Sequence, residues 1–283
     1  TEGLVSLLWP HYLRTIPSLS IVELSPDWSQ MKHSERVAGG FEVMSQPVGQ
    51  QKTRCRYSTT QDLDLLPLNL SKVGLSTEPD GRSVIRFRFE CSELADWAQI
   101  DLSRLPLYLN ADSPVASALH QALTLQTQAM YLRLPKRPDR QRIDGYFSPL
   151  GFGEQDGLWP KGESAFSGYQ LLLEFFTFRQ KFMFVGLNGL EQLELPAALP
   201  WFEIEVVLSE LWPYDMPFDA ENLRLHCVPV INLFPLEADP LRLSPLETDY
   251  LLRPMRLQDG HTEIYSVDSV VSSKHTGHQT YVP

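Results

Sequence analysis

The chain is 283 residues long, 43% of them hydrophobic and 21% charged, which are the proportions of a folded protein rather than a disordered one. Its net charge of −11 opposes binding to phosphate backbones and anionic membranes, and it favours partners with basic patches. No uninterrupted apolar run approaches the roughly 20 residues that are needed to cross a bilayer. We therefore expect neither nucleic-acid binding nor direct insertion into a membrane.

The first segment, Gly3 to Leu13, is typical of the end of a helix broken by Pro10, because a proline disfavours helical geometry at the residue before it. We predict a helical lead-in over residues 1–16. A first strand is predicted from Leu19 to Leu24.

A β-rich domain is predicted over residues 17–140. In its clearest strand Ile85, Phe87 and Phe89 face one way and the charged residues between them face the other. This period of two is typical of an antiparallel sheet with one solvated face. Several short strands at this spacing indicate a sandwich or a curved sheet.

A hairpin is predicted within this domain. Asp80-Gly81 is a tight-turn signal between two alternating runs. Residues 68–78 and 82–90 are therefore expected to pair with each other.

Residues 113–129 are predicted to form a helix that packs on this sheet. Ser113 can cap the helix, and Pro114 occupies the first helical position, where its missing N–H costs nothing. The apolar residues recur at helical spacing and form one stripe, which consists of Val115, Ala118, Leu119, Ala122 and Leu123.

A basic cluster between Pro135 and Ile143 marks the predicted end of the first domain. Two interpretations of Lys136, Arg137, Arg140 and Arg142 stay open: a solvated linker, or a contact strip for an acidic partner. In both interpretations the charges are exposed. Reversing Arg137 and Arg140 to glutamate is therefore expected to leave folding intact.

The second domain, residues 141–283, is predicted to be an α+β unit built on the helix and strand of residues 166–185. Ser167 followed by Gln170 has capping-box spacing, so a helix is expected to begin there. This helix is apolar almost all round, which predicts burial on several sides. The apolar run from Phe182 to Val185 predicts a buried strand after it.

Another strand with a solvated face is predicted further along the chain. Phe202, Ile204 and Val206 alternate there with Glu203 and Glu205. The fold class predicted for the whole chain is α+β and β-rich, with antiparallel or sandwich-like subdomains and a few packed helices.

The sequence contains no GxSxG motif, no Walker loop and no glycine-rich dinucleotide turn. His275 and His278 have HxxH spacing, but no third metal ligand is near them in the sequence. Cys55, Cys91 and Cys227 are sparse and lack CxxC spacing, which predicts free thiols in a reducing compartment. We therefore expect no enzyme, no cofactor and no metal site.

Aromatic residues beside acidic residues leave one alternative open. A carbohydrate-binding or carbohydrate-active β-sandwich protein would stack sugars on such rings and use a carboxylate pair for hydrolysis. The other interpretation is that the rings anchor loops to the core. The residues concerned are Trp159, Trp201, Trp212, Tyr214, Glu203, Asp215 and Asp219.

Several stretches resemble a known family, in the order that the family shows. They are LWPHYLRTIPSLSI (Leu8 to Ile21), GYQLLLEFFTFRQKFMFVGLNGL (Gly168 to Leu190), CVPVINLFPLEADPLRL (Cys227 to Leu243) and EIYSVDSV (Glu263 to Val270). Together they resemble TssF, also called ImpG or VasA, a baseplate subunit of the bacterial type VI secretion system. Arg179-Gln180 departs from the Pro-Glu that the family tends to have, and Thr15 from its usual proline.

The resemblance implies a structural role without turnover. Family members form the baseplate wedge, in which two TssF copies join one TssG and contact TssK and the sheath-linked TssE, close to the spike hub. The implied fold is similar to that of wedge proteins in contractile phage tails. The implied location is the bacterial cytoplasm, with the baseplate docked at the inner-membrane complex. Family members extend past both ends of this chain, so we expect it to be part of a longer protein.

The resemblance also marks a structural core within the family signature. It consists of Tyr169, Leu172, Phe175, Phe176, Phe178, Phe182, Asn232, Phe234, Pro235 and Tyr265. Because Phe176 lies on the helix that is apolar almost all round, it is expected to be buried, and its truncation to alanine to cost roughly 3–5 kcal/mol. The expected partner contact is the basic strip of Lys136, Arg137, Arg140 and Arg142.

Overall fold

A computed structural model of the chain describes residues 15–160, 167–244, 246, 248–255, 262–274 and 277–281. This part contains two α-helices, α1 (Ser113–Leu125) and α2 (Ser167–Thr177). Its strands are β1 (Leu19–Glu23), β2 (Glu35–Val37), β3 (Glu42–Met44), β4 (Arg56–Thr59), β5 (Leu63–Leu65), β6 (Leu68–Thr77), β7 (Ser83–Cys91), β8 (Arg104–Leu109), β9 (Thr127–Arg133), β10 (Gln141–Ile143), β11 (Tyr146–Pro149), β12 (Phe184–Asn188), β13 (Trp201–Leu208), β14 (Leu223–Arg224), β15 (Cys227–Ile231), β16 (Val270–Lys274) and β17 (Gly277–Tyr281).

The largest sheet has five antiparallel strands in the order β10-β9-β13-β7-β6. The register of β13 and β7 places Phe202 opposite Phe89 and Ile204 opposite Phe87. All four side chains are fully buried, and the rings of Phe89 and Phe202 stack with centroids 5.0 Å apart. The alternation of apolar and charged residues therefore buries one face of this sheet.

A second antiparallel sheet, in the order β11-β12-β8-β14, covers the apolar face of the first. Phe147 of β11 meets Phe87 of β7, with ring centroids 6.0 Å apart. α1 packs against strands of both sheets, and its Leu119 and Leu123 are fully buried. The two sheets and α1 therefore enclose one continuous hydrophobic core.

A third antiparallel sheet has the order β1-β15-β4-β3, and smaller pairs form between β2 and β5 and between β16 and β17. His226, next to β15, ties the third sheet to the core. Its Nε2 accepts a hydrogen bond from the Leu66 N–H at 3.1 Å, and its carbonyl accepts one from the Leu24 N–H at 2.9 Å. The imidazole is buried, and burial lowers the pKa of His226 to about 4.

The burial of His226 predicts that acid destabilises the fold. Its pKa is about 4 in the folded chain, against an ordinary value of 6.5, so the unfolded state binds this proton first as the pH falls. The stabilisation is complete above pH 6.5 and is lost progressively towards pH 4. We expect the free energy of unfolding to fall by roughly 1–2 kcal/mol between about pH 7 and about pH 5, measured by urea denaturation.

Two variants test this assignment. His226→Gln keeps an acceptor for the Leu66 N–H but does not titrate, so the pH dependence should flatten. His33→Gln changes an exposed histidine and should keep the original slope. A smaller slope remains from His120, whose pKa is also lowered by burial. An unchanged slope in His226→Gln would contradict the assignment.

The β-rich α+β class predicted from the sequence is confirmed. The predicted hairpin is confirmed as well, since β6 and β7 pair along their length. Gly81 in its turn has a φ of +90°, a conformation that residues with side chains rarely adopt.

Two predicted boundaries shift in the structure. The helix predicted over 113–129 ends at Leu125, because Gln126 leaves helical geometry and β9 begins at Thr127. The strand predicted from Phe182 begins at Phe184, because residues 179–182 form a 3-10 turn.

The boundary predicted at residue 140 does not coincide with a division of the sheets. Each of the three larger sheets combines strands from both sides of it: β7 pairs with β13, β8 with β12, and β4 with β15. The hydrophobic core is also shared across residue 140. The lead-in predicted over residues 1–16 lies, up to residue 14, outside the described residues.

Candidate protein-interaction surfaces

The polar face of the five-stranded sheet carries arginines that converge on one glutamate. Glu205 of β13 has 1% of its side chain exposed, so the predicted solvated position is wrong for this residue. Its Oε1 accepts hydrogen bonds from Nε of Arg86 at 3.0 Å and from Nε of Arg133 at 2.6 Å. Its Oε2 accepts one from Nη1 of Arg140 at 3.3 Å. Three guanidinium groups therefore cover this carboxylate.

The charge of Glu205 follows from this geometry. Burial raises the pKa of its carboxyl, but the hydrogen bonds and charges of Arg133, Arg140 and Arg86 outweigh burial, and the pKa lies below its ordinary value of 4.5. The carboxylate is therefore ionised at neutral pH. Because charge-assisted hydrogen bonds are directional and strong, it holds the guanidinium groups in fixed orientations.

A further ion pair lies beside this cluster. Arg88 is opposite Glu203 in the register of β7 and β13, and its Nη1 lies 3.2 Å from the Glu203 Oε1. The Arg88 guanidinium also lies 3.9 Å from the ring centroid of Trp201. The carboxylate and the aromatic ring together fix this arginine on the sheet.

Arg140 of the predicted contact strip belongs to the Glu205 cluster. It pairs with Glu78 at 2.6 Å as well as with Glu205, and its guanidinium lies 4.1 Å from the ring centroid of Tyr131. Reversal to glutamate would place a third carboxylate against these two. The expectation that this charge is freely exposed is therefore wrong for Arg140, and we now expect its reversal to destabilise the fold, because the residue neutralises a buried charge.

The rest of the strip is solvated. Lys136, Arg137 and Arg142 are exposed. Residues 141–143 form β10, which pairs with β9 at the edge of the large sheet, so this end of the cluster is a strand rather than a flexible linker. Whether these three cations contact a partner stays a prediction.

The signature segment, residues 168–190, is anchored by a buried ion pair. Glu174 and Lys181 have 1% and 3% of their side chains exposed and form a salt bridge. The Glu174 Oε1 accepts hydrogen bonds from the Leu158 N–H and from the Gln170 side chain, both at 2.9 Å. Gln170, predicted to cap α2, thus binds Glu174 within the helix. Tyr169 on the same helix is half-buried.

The predicted core of the signature is buried in part. Phe178 and Phe182 are 8% and 1% exposed. Leu172, Phe175 and Phe176 are 58%, 37% and 83% exposed, so the predicted burial of α2 on several sides is wrong for them. The side of α2 that carries Glu174 and its ion pair packs against the protein interior. The opposite, apolar side is therefore exposed to solvent. Exposed apolar groups of this size are typical of contact surfaces.

The remaining signature residues lie in and beyond the third sheet. The Asn232 side chain donates to the Arg56 carbonyl at 2.5 Å, and the Arg56 guanidinium lies 4.8 Å from the ring centroid of Phe234. Pro235 is exposed and Tyr265 is half-buried. These contacts fix the chain where it leaves β15.

Three of the four aromatic residues considered for a carbohydrate site can be assigned: two contact other groups, and one is fully exposed. Arg88 covers the ring of Trp201. Trp212 is buried, and its Nε1 donates to the Met216 carbonyl at 2.7 Å. Tyr214 is 99% exposed. The contacts of Trp201 and Trp212 favour the interpretation of these two rings as anchors.

Cys55, Cys91 and Cys227 are free, and burial raises the pKa of the Cys91 and Cys227 thiols to about 12. Within the described residues no three histidine, cysteine or acidic side chains lie close enough to hold a metal ion. His275 lies outside those residues, and the side chain of His278 is not described. Neither described helix is long and apolar enough to cross a bilayer.

A family model described as "Type VI secretion system, TssF" matches residues 1–283. The chain belongs to this family. The resemblance found in the sequence stretches is thereby confirmed, and the exposed apolar face of α2 lies within a stretch that resembles the TssF hallmark.

Relatives of known identity agree with the TssF assignment. Type VI secretion system component TssF1 of Pseudomonas aeruginosa is 26% identical over 289 residues, which cover 95% of this chain and 46% of the relative. A chain in the cryo-electron microscopy structure of the TssK-TssF-TssG baseplate subcomplex is 63% identical, with a TM-score of 0.94 over 100% of this chain and 53% of that one. A chain in the baseplate complex from the type VI secretion system is 60% identical, with a TM-score of 0.64 over 96% and 46%. The chain thus spans about half the length of these relatives.

Sequence reasoning misses the buried charged residues that organise two surfaces of this TssF chain, the polar face of the five-stranded sheet and the exposed face of α2. It gives Lys181 no role and places Glu205 in solvent, yet both are buried. The convergence of Arg86 and Arg133 on Glu205 depends on which strands are neighbours. One sequence feature could have indicated these ion pairs: arginines alternate with apolar residues along β7, and glutamates do so along β13. This pattern predicts cross-strand pairs once the two strands are known to be adjacent.

Proposed function

We propose that this chain is part of a structural subunit of the type VI secretion baseplate, which acts by binding other subunits rather than by catalysis. The observation that carries the proposal is the likeness to a chain of the TssK-TssF-TssG subcomplex, at 63% identity and a TM-score of 0.94 over the whole of this chain. The second similar structure is also a type VI baseplate complex.

The proposed direct partners are TssG and TssK, since both occur in the subcomplex that contains the similar chain. TssE and a second TssF copy are proposed as further members of the wedge, with the spike hub and the sheath nearby. The proposed location is the bacterial cytoplasm, where the baseplate docks at the inner-membrane complex without inserting into the bilayer. These further proposals follow from the family resemblance.

The surface supports a binding role. Leu172 and Phe176 present exposed apolar side chains on a helix that a buried ion pair holds in place. The covered ring of Trp201 and the buried ring of Trp212 weigh against the carbohydrate alternative.

Recovery of the complex from cells tests the proposal and the basic strip together. The complete gene product is co-expressed with TssG and TssK and purified through a tag on TssK. Arg137→Glu with Arg142→Glu is expected to keep the melting temperature and to lower recovery at low salt several-fold, because both residues are exposed and reversal opposes an acidic partner.

The matched control changes two exposed lysines outside the strip, Lys32→Glu with Lys52→Glu, and should leave recovery unchanged. Equal recovery of the complex with all variants would show that the strip is solvated and does not contact a partner. Failure of the unaltered protein to co-purify with TssG and TssK would overturn the proposed function.

A further inference from the structure

A concave surface that includes part of the Glu205 cluster brings several cationic side chains together in a strongly acidic chain. It has a volume of about 490 Å³ and lies on the outer face of the five-stranded sheet. Four cations and two carboxylates line it, so positive charge prevails there, whereas the net charge of the chain is −11. The charged lining residues are Lys72, Arg86, Arg88, Arg133, Glu203 and Glu205.

Two of these arginines keep hydrogen-bond donors available. Arg86 and Arg133 both bind Glu205 through Nε. Their Nη groups have no hydrogen-bond acceptor in the described part of the chain, and their side chains are 46% and 36% exposed. A guanidinium that is fixed through Nε presents its two Nη groups as one planar edge, which matches the two oxygens of a carboxylate.

The neighbouring strand β6 leaves this edge accessible. Gly74 lies opposite Arg86 in the register of β6 and β7, and no atom lies within 4 Å of where its Cβ would be. A glycine inside a strand allows another chain to approach closely. Lys72, opposite Arg88, is exposed, and its ammonium group makes no hydrogen bond or ion pair with the described residues.

We propose that this concavity binds carboxylate side chains of an acidic segment in another protein subunit. The proposal deepens the proposed function and rests on it for the statement that the partner is a subunit. The net charge of −11 repels long polyanions such as nucleic acid, whereas a short acidic segment can meet the local excess of positive charge. Glu205 is a positioning residue, because it orients Arg86 and Arg133 and does not contact the partner.

Binding of a fluorescein-labelled oligoglutamate peptide to the complete protein, followed by fluorescence anisotropy, tests this proposal. Arg86→Lys with Arg133→Lys keeps every charge but removes the planar edges, and we expect roughly tenfold weaker binding. Lys72→Glu should weaken binding and reduce its salt dependence. Lys52→Glu makes the same change in net charge in the turn between β3 and β4, and should leave binding unchanged.

Melting temperatures show whether each variant is folded, and Lys72→Glu removes no contact within the described residues. Unchanged affinity in both Lys72→Glu and the double lysine variant would overturn the proposal. So would tighter binding of a single-stranded oligonucleotide of equal charge. If oligoglutamate binds as expected but TssG and TssK do not co-purify, the proposed function falls and the carboxylate site stands.

Discussion

Glu174→Gln is expected to lower the free energy of unfolding of the complete protein by roughly 3–5 kcal/mol. The substitution preserves the size of the side chain but leaves Lys181, whose side chain is 3% exposed, without its counter-charge. Removing one partner of a buried pair is costly because the remaining ion has lost its hydration and gains nothing in return. Urea denaturation followed by circular dichroism measures the change.

Two control variants show whether the loss of stability is due to the burial of the ion pair. Glu42→Gln removes the partner of Arg56 in an ion pair whose glutamate is 54% exposed, and it should cost about 0–1 kcal/mol. Glu174→Gln with Lys181→Met removes both buried charges and should recover most of the loss. Equal losses in Glu174→Gln and Glu42→Gln would show that the buried pair is hydrated, against the geometry described.

Phe182→Ala is expected to destabilise the protein by roughly 3–5 kcal/mol, because truncating a buried aromatic ring leaves a cavity and loses transfer free energy. Phe182 is 1% exposed and packs against Phe152 at a centroid distance of 5.0 Å. Phe176→Ala, in the same signature segment, should cost less than about 1 kcal/mol, since its side chain is 83% exposed.

The two phenylalanines are matched in chemistry and differ in exposure. The free energies of unfolding of the two variants, measured by urea denaturation, therefore show which of these signature residues stabilises the fold. A loss for Phe176→Ala as large as that for Phe182→Ala would mean that Phe176 is covered in the complete protein.

Local patterns predict much of this fold. The turn at Asp80-Gly81 and the alternation on either side of it are set by residues that are close in sequence. The hairpin of β6 and β7 therefore forms as predicted. The alternation from Phe202 to Leu208 likewise predicts β13. Sequence periodicity does not say which strands become neighbours, so it cannot show that β13 lies between β7 and β9.

The candidate surfaces depend on which strands are neighbours, and sequence periodicity does not give this. Arg140 is one of several cations in a local cluster, and its attachment to Glu205 exists because β9, β10 and β13 share a sheet. Periodicity also shows that α2 is apolar on most sides without showing which side is covered. The pattern therefore predicts Phe176 in the core, where the structure instead has Lys181, a residue type that is almost never fully buried.

The position of β13 has a consequence for synthesis of the protein. The strands on either side of it, β7 and β9, leave the ribosome earlier and have no partner for their facing edges until β13 follows. The same holds for β1 and β4, which pair through β15. Unpaired edges and late, long-range pairing slow folding and expose apolar surface to aggregation. We therefore expect these edges to stay unpaired in the nascent chain until residue 231 has emerged.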